Sequence, residues 1–164
     1  MTQDSTISPV LDVAHKTIAI AGCASLVTMD ETGWPSARAV AAFPPDENFS
    51  KMVIATHPDS RKTTHVKADP RVLLSYLELE NRGYVTIIGH AHLDDDREAR
   101  KAYWTDRFSA FWPDGPESDA YQLIVAEPER LEVRSFGLGV AEDPTRWSPV
   151  ILERRGSGAW AKNN

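Results

Sequence analysis

The chain has 164 residues, 41% of them hydrophobic, and carries a formal net charge of −6 with a sequence pI near 5.3. The acidic balance argues against a nucleic-acid partner, because phosphate backbones require a basic face. No apolar run is long enough to cross a membrane and no signal peptide is visible, so we expect a cytoplasmic protein without a membrane partner. The length fits a single domain over 1–164, with disorder at 1–7 and a tail of uncertain packing at 141–164.

Apolar spacing and turn residues predict a series of helices and strands. Ser8 and Asp59 are typical helix N-caps, and Gly22 is typical of a helix end. Helices are expected over 8–21, 59–67 and 94–107. Strands are expected over 23–29, 34–43, 52–56, 71–79, 84–93 and 121–134, the last interrupted near Pro128. Because most strands are joined by tight turns without βαβ alternation, the pattern favours an antiparallel barrel with peripheral helices.

Cys23 is the single cysteine, so the chain cannot form an internal disulfide. It lies among alanine, glycine and valine, and these neighbours predict a buried structural thiol. One free cysteine is compatible with a reducing cytosol.

The most informative stretch is Thr56-His57-Pro58-Asp59-Ser60-Arg61-Lys62, where an apolar strand enters a polar turn. Ser60, Arg61 and Lys62 come together at the predicted start of a helix, where backbone N–H groups and the helix dipole favour an anion. A guanidinium beside an ammonium adds charge-assisted hydrogen bonds. The stretch therefore indicates a phosphate site, although a solvated charge pair on a surface helix would explain the same residues.

Together with Arg38-Ala39-Val40, Asp69-Pro70-Arg71-Val72 and the strand at 85–89, this stretch resembles the pyridoxamine 5′-phosphate oxidase-like family of FMN-binding split barrels. The resemblance covers roughly residues 10–135, and the segments 111–116 and 121–128 are most similar to the general stress protein branch. It implies a mainly β protein with some α: a six-stranded antiparallel split β-barrel with peripheral helices. It also implies a homodimer that holds FMN at the subunit interface.

The same resemblance implies contacts with the phosphate, the ribityl chain or the ring of FMN. Residues at the matching positions are Arg38, Ala39, Val40, Ala55, Thr56, Ser60, Arg61, Lys62 and Tyr84. The phosphate would be bound by Arg38, Ser60, Arg61 and Lys62, since a dianion needs paired cations. The other residues would contact the ring or the ribityl chain, and small alanines would let the ring approach the backbone.

Two departures from the family pattern concern the substrate. Where true pyridoxamine phosphate oxidases hold the substrate phosphate with a lysine and a serine, this chain has Phe43 and Phe111. Tyr103 and Arg107 keep the family spacing, but an amphipathic helix with a packed tyrosine and a solvated arginine explains them as well, and we favour that interpretation. Phenylalanine offers neither charge nor a hydrogen bond, so we expect a vitamer phosphate to bind poorly.

Candidate substrate-binding residues are Tyr103, Arg107, Phe111 and Trp112. Four aromatic residues of this region could line the space above a flavin, or they could belong to the core or to a dimer contact: Trp104, Phe108, Phe111 and Trp112. His90 and His92 could form a metal pair or supply a haem ligand, but an exposed pair is more common, and we predict no metal site.

The leading hypothesis is a homodimeric FMN-binding protein that acts as a flavin-dependent oxidoreductase with a small-molecule redox partner. No catalytic residue is identified, because the family often supplies no dedicated acid or base. One alternative is a flavin store or sensor without turnover. Another is the same fold with the deazaflavin F420 or with haem.

Overall fold

Helix α1 (Ile7–Ala21) precedes the sheet and packs an apolar face against it. In this computed structural model residues 6–154, 156 and 158–163 are described. The helix begins one residue before the predicted cap, and Ile7 is 2% exposed. Disorder was predicted over 1–7, and it does not extend to Ile7. Residues 1–5 of this predicted segment lie outside the described residues. The helix ends at Gly22, whose φ of 72° is the left-handed conformation that glycine tolerates best.

An antiparallel sheet of eight strands follows in the described part of the chain. The strands are β1 (Ala24–Met29), β2 (Pro35–Val40), β3 (Met52–Thr56), β4 (Arg71–Glu78), β5 (Gly83–Asp94), β6 (Gln122–Ser135), β7 (Val150–Glu153) and β8 (Ala161–Lys162). Their order is β2-β1-β4-β5-β6-β7-β8, and β3 pairs with β6. The sheet does not close, which is the expected architecture of a split barrel. The six expected strands are present, and β7 and β8 lie in the tail whose packing the sequence left open.

The predicted interruption of the sixth strand is a bulge rather than an end. Strand β6 continues through Pro128, and its register against β5 shifts between Ile88 and Gly89. A Cβ atom at Gly89 would lie 2.0 Å from the carbonyl oxygen of Glu127, so the close approach of the two backbones requires glycine. The predicted alternation along β5 is confirmed, because Val85, Ile87, Gly89 and Ala91 are all buried.

Two helical predictions were wrong in detail. Helix α2 (Arg61–Ala68) has Ser60 as its N-cap rather than Asp59. Helix α3 (Arg97–Ala102) stops five residues short of the predicted end. Thr105 is extended, with φ −135° and ψ 147°, and the chain continues as 3-10 turns over 106–110 and 115–117. Beyond this break Tyr103, Trp104, Phe108 and Trp112 pack into an apolar cluster, whereas Phe111 stays exposed, so packing overrides helical propensity here.

The side chains form two apolar clusters. The larger lies between α1 and the inner face of the sheet. The smaller centres on Val53, Trp112, Tyr121, Leu123 and Val125. The prediction of a buried Cys23 was wrong, because the residue lies between the end of α1 and the start of β1 and its side chain is exposed. None of the described helices has the length and apolar character needed to span a membrane.

Candidate functional site

Three cationic side chains converge where β2 meets the start of α2. Arg38 lies on β2, and Arg61 and Lys62 open α2. The guanidiniums of Arg38 and Arg61 both donate to the hydroxyl of Ser36, over 3.0 Å and 3.3 Å respectively. Arg38 also donates from Nη1 to the Leu26 carbonyl over 3.1 Å and to Thr28 Oγ1 over 2.7 Å. The pairing of β2 with β1 and the start of α2 thus bring together charges that are more than twenty residues apart in sequence.

None of these three cations forms an ion pair with a carboxylate among the described residues. Burial and then the charge of Arg61 lower the pKa of Arg38. Burial and then the charge of Arg38 lower the pKa of Lys62. Both directions show that the cationic forms are disfavoured where they stand. An anion would remove this cost, so the cluster is suited to hold one.

The backbone at the start of α2 adds to this potential. The N–H groups of Arg61 and Lys62 are in the first turn, where no intrahelical acceptor exists. At a helix start such groups and the dipole attract anions. Helix and side chains therefore present positive charge to the same region.

The hydroxyl of Ser60 makes hydrogen bonds within its own turn. Thr63 donates to the His57 carbonyl over 2.9 Å, so its hydroxyl accepts from Ser60 over 2.7 Å. Ser60 in turn contacts Thr56 Oγ1 at 3.0 Å. These hydrogen bonds shape the turn before α2. Ser60 could donate to a phosphate only by giving up its bond to Thr63.

A cleft of about 400 Å³ opens at Arg38 on β2, and the other two cations, Arg61 and Lys62, do not line it. Its lining includes Cys23, Ser25, Ala37, Arg38, Ala39 and Leu77. Its volume falls in the range of small-molecule sites, and alanine side chains leave the backbone of β2 accessible. The side chain of Val40 is buried, so Val40 could offer only backbone atoms to a ligand.

The predicted cofactor contacts Ala55, Thr56 and Tyr84 do not line this cleft. Ala55 packs against the smaller apolar cluster, and Thr56 is buried beside Ser60. Tyr84 is on β5, and strands β1 and β4 lie between it and Arg38. Its ring contacts the Arg134 guanidinium at 5.3 Å. Within one chain, the structure does not bring Tyr84 together with the cations.

The predicted substrate-binding residues do not form one surface. Tyr103 packs against Phe43 with ring centroids 5.0 Å apart, and Arg107 is exposed beside Phe108. Phe111 is 75% exposed, whereas Trp112 is 9% exposed and donates its indole N–H to the Ala120 carbonyl over 2.7 Å. Because α3 ends before Tyr103, the helix expected to join Tyr103 and Arg107 is wrong, but the packed tyrosine and the solvated arginine are confirmed.

The two histidines on β5 are exposed, and His90 pairs with Glu129 at 3.0 Å. Within the described ranges no group of three His, Cys, Asp or Glu side chains could hold a metal ion. A separate cavity of about 250 Å³ lies at Ser50, Lys51 and Arg154 and contains none of the predicted site residues. There Arg154 already donates to three backbone carbonyls.

Ser36, Thr28 and His65 are the site residues that sequence reasoning missed. Ser36 precedes Arg38 by two positions, so both side chains lie on one face of β2. Thr28 is the cross-strand partner of Ser36 in the hairpin around the turn at 30–33. Extending the predicted hairpin by cross-strand pairing would have found Ser36 and Thr28. No local signal marks His65.

Comparisons with known proteins agree with this fold. The family model described as pyridoxamine 5′-phosphate oxidase matches residues 12–135. No curated protein matches the sequence. A Clostridium acetobutylicum protein related to general stress protein 26 is similar in structure, with a TM-score of 0.73 and 15% identity over 89% of this chain and 95% of that one.

Two further structures have the same fold. A pyridoxamine 5′-phosphate oxidase-related, FMN-binding protein of Nostoc punctiforme has a TM-score of 0.68 and 16% identity over 96% of this chain and 93% of its own. A haem-binding protein of Mycobacterium smegmatis has a TM-score of 0.61 and 17% identity, over 85% of this chain and 57% of its own. The fold is the FMN-binding split barrel predicted from the sequence. Since the family model spans most of the chain, this protein belongs to the pyridoxamine 5′-phosphate oxidase family.

Proposed function

We propose that this protein binds FMN through Arg38, Arg61 and Lys62 and works as a flavin-dependent oxidoreductase on a small-molecule redox partner. The observation that carries the proposal is that these three cations lie close together and that none of the described carboxylates pairs with them. The phosphate of FMN is a dianion that accepts several charge-assisted hydrogen bonds. Two guanidiniums, an ammonium and the start of α2 suit such a group.

The cleft at Ala37 and Ala39 would take the isoalloxazine ring, because it adjoins Arg38 and exposes the backbone of β2. When bound, FMN supplies hydride and electron transfer, while the chain binds it, orients it and excludes water. The substrate is proposed to differ from a phosphorylated vitamer. Phe43 packs against Tyr103 and Phe108, and it offers no donor to a second phosphate.

A homodimer with FMN between its subunits is part of this proposal. Strands β1 and β4 separate Tyr84 from β2 within one chain, and we propose that a flavin held at Arg38 meets Tyr84 of the second subunit. The outer face of the sheet also exposes an apolar side chain beside Tyr84, since its cross-strand partner Leu77 is 66% exposed. A second copy on this face would cover Leu77. We place the activity in the cytoplasm as an extension of the same proposal.

The first test is the visible absorption spectrum of the purified protein, followed by release of any chromophore by heat. We expect an oxidised-flavin spectrum and released FMN. A haem or deazaflavin spectrum would show that the ligand is not FMN. A colourless protein that takes up no added FMN would overturn the proposal. If FMN is bound but no reduced nicotinamide or other small donor reduces it, the protein is a flavin store or sensor.

The second test removes the cations of α2. Arg61→Ala combined with Lys62→Ala should abolish retention of FMN, because the phosphate loses two of its three charged partners. Lys67→Ala is the matched control, since Lys67 is an exposed cation near the other end of the same helix. Full retention of FMN by the double variant would show that the phosphate lies elsewhere.

A further inference from the structure

Two buried polar side chains lie directly behind the Arg38 guanidinium. Thr28 is 1% exposed and His65 is 6% exposed. Thr28 Oγ1 is 2.7 Å from Arg38 Nη1 and 2.8 Å from His65 Nδ1. One hydroxyl thus joins a strand arginine to a helix histidine. Buried polar groups of this kind are costly unless they are paired, so the arrangement is specific.

The directions of these hydrogen bonds follow from the groups. A guanidinium only donates, so Thr28 accepts from Arg38 and its own hydrogen is available to His65. His65 Nε2 is 3.8 Å from the carboxylate of Glu31, and we assign the ring hydrogen to Nε2 on that ground. His65 Nδ1 then accepts the hydrogen of Thr28.

These partners leave one edge of Arg38 available. The Leu26 carbonyl and Thr28 take the two hydrogens on Nη1, and Ser36 takes one hydrogen on Nη2. The Nε hydrogen and the second Nη2 hydrogen have no acceptor among the described residues. These nitrogens form the side-on edge of the guanidinium, which binds two oxygens of one phosphate.

The same pair connects the two elements that carry the cations. His65 is on α2, four residues after Arg61 and therefore on the same side of the helix. Thr28 is on β1, which pairs with β2. The Thr28–His65 hydrogen bond thus fixes α2 against the hairpin that carries Arg38.

We propose that Thr28 and His65 are positioning residues that hold the Arg38 guanidinium with its side-on edge ready for the phosphate of a bound flavin nucleotide. The proposal rests on the proposed function. It differs from a purely structural role in one respect. A structural bond would affect every ligand of the site equally, whereas a bond that positions Arg38 affects only ligands that carry a phosphate.

FMN and riboflavin provide this distinction, because they differ only in the phosphate. The experiment titrates each into the apoprotein and compares the ratio of their dissociation constants. For Thr28→Val and for His65→Leu we expect FMN affinity to fall about tenfold, as for one charge-assisted hydrogen bond, with riboflavin affinity within about twofold. The double variant should lose little more FMN affinity than either single variant, because each substitution alone already removes the Thr28–His65 hydrogen bond.

Thr17→Val is the matched control. Thr17 is a fully buried threonine on α1 whose hydroxyl has no hydrogen-bond partner among the described residues, the three cations included. This variant should leave the ratio unchanged. The conservative variants Thr28→Ser and His65→Asn, which keep a hydroxyl and an acceptor, should restore most of the preference for FMN.

The outcomes separate the two proposals. If the wild-type protein binds riboflavin as tightly as FMN, the phosphate site itself is absent and the proposed function fails. If the wild type prefers FMN but Thr28→Val and His65→Leu weaken both ligands by the same factor, the positioning role is overturned and the phosphate site stands. Should His65→Leu fail to fold, Thr28→Val decides, because it removes the same bond while nearly keeping the side-chain shape.

Discussion

The cation cluster (Arg38, Arg61 and Lys62) and the aromatic region around Trp112 and Tyr121 both contain residues that the sequence predicts to contact a ligand. Their side chains nevertheless differ in how they are paired and packed. Arg38, Arg61 and Lys62 lie together without a described counter-ion. In the aromatic region, Trp112 and Tyr121 are in edge contact with centroids 4.9 Å apart, and Trp104 approaches Tyr121 at 5.2 Å.

Their polar atoms differ in the same way. The Trp112 indole N–H donates to the Ala120 carbonyl, and the Tyr121 hydroxyl donates to the Tyr103 carbonyl over 2.8 Å. These groups have the partners they need, so they stabilise the fold. Arg38 and Arg61 donate to neutral oxygens, but no carboxylate among the described residues pairs with the three cations, a pattern that suits an anion-binding site. Substitutions in the two regions should therefore change stability and binding in opposite proportions.

The largest effect is expected from Trp112→Ala. It deletes a buried aromatic side chain and should lower the free energy of unfolding by about 3–5 kcal/mol, as measured by urea denaturation. The neighbouring Phe111→Ala is the control, because Phe111 is 75% exposed and its loss should change stability by no more than about 0.5 kcal/mol. If the folded Trp112 variant lost FMN affinity as strongly as the cation variants do, the contrast between the regions would be broken.

Lys62→Met should have the opposite profile. FMN affinity should fall roughly ten- to hundredfold, because a charged partner of the phosphate is lost. Without ligand, stability should stay level or rise by about 0.5 kcal/mol, since the cost of burying the charge and then the repulsion from Arg38 are relieved at a half-exposed side chain. Lys67→Met serves as the control for both measurements. A clear loss of apoprotein stability on removing Lys62 would mean that its charge is paired in the folded protein.

The sequence was sufficient wherever a local rule decides the outcome. Period-two alternation identified the buried face of β5, and the cations of α2 follow directly from a turn and a helix start. The convergence of Arg38 with Arg61 was implied by the family resemblance. It could not be derived from local pattern, because the two residues are brought together by tertiary packing.

The misses have physical causes of the same kind. The helix expected over 94–107 ends early because its aromatic residues gain more by packing on Tyr121 than by continuing the helix. Cys23 is exposed because it lies between α1 and β1 next to Ala24, which takes the buried position at the start of the strand. His65 was missed because its partner Thr28 is 37 residues away, and no spacing rule connects a helix side chain to a strand hydroxyl at that separation.

Cys23 offers a probe of the cleft that is independent of the cations. It lines the cleft with Arg38 and Ala39, and it is the single thiol of the chain. We expect saturating FMN to slow the reaction of Cys23 with Ellman's reagent several-fold, because the ring would cover the thiol. Cys23→Ser gives the background of the assay. Equal labelling rates with and without FMN would place the ring outside this cleft.

The smallest expected difference between the two regions is in how they change the stability of the protein at alkaline pH. Burial raises the pKa of Tyr121 to about 12 from 10.0. Between these two pH values the unfolded chain has lost its phenol proton while the folded chain keeps it, so rising pH favours unfolding. Lys62 acts in the other direction. Its pKa is lowered from 10.5, so approaching pH 10.5 removes a charge that the folded apoprotein disfavours and increases its stability.

Tyr121→Phe isolates the aromatic contribution. The variant should lose about 1 kcal/mol at neutral pH, because the hydrogen bond to the Tyr103 carbonyl is absent. Its stability should then fall less steeply than that of the wild type above pH 10, measured by urea unfolding across the alkaline range. Part of the fall should remain, because burial also raises the pKa of Tyr76 to about 12. An unchanged slope in Tyr121→Phe would mean that the Tyr121 phenol ionises in the folded protein as readily as in the unfolded chain, and that water reaches the aromatic region.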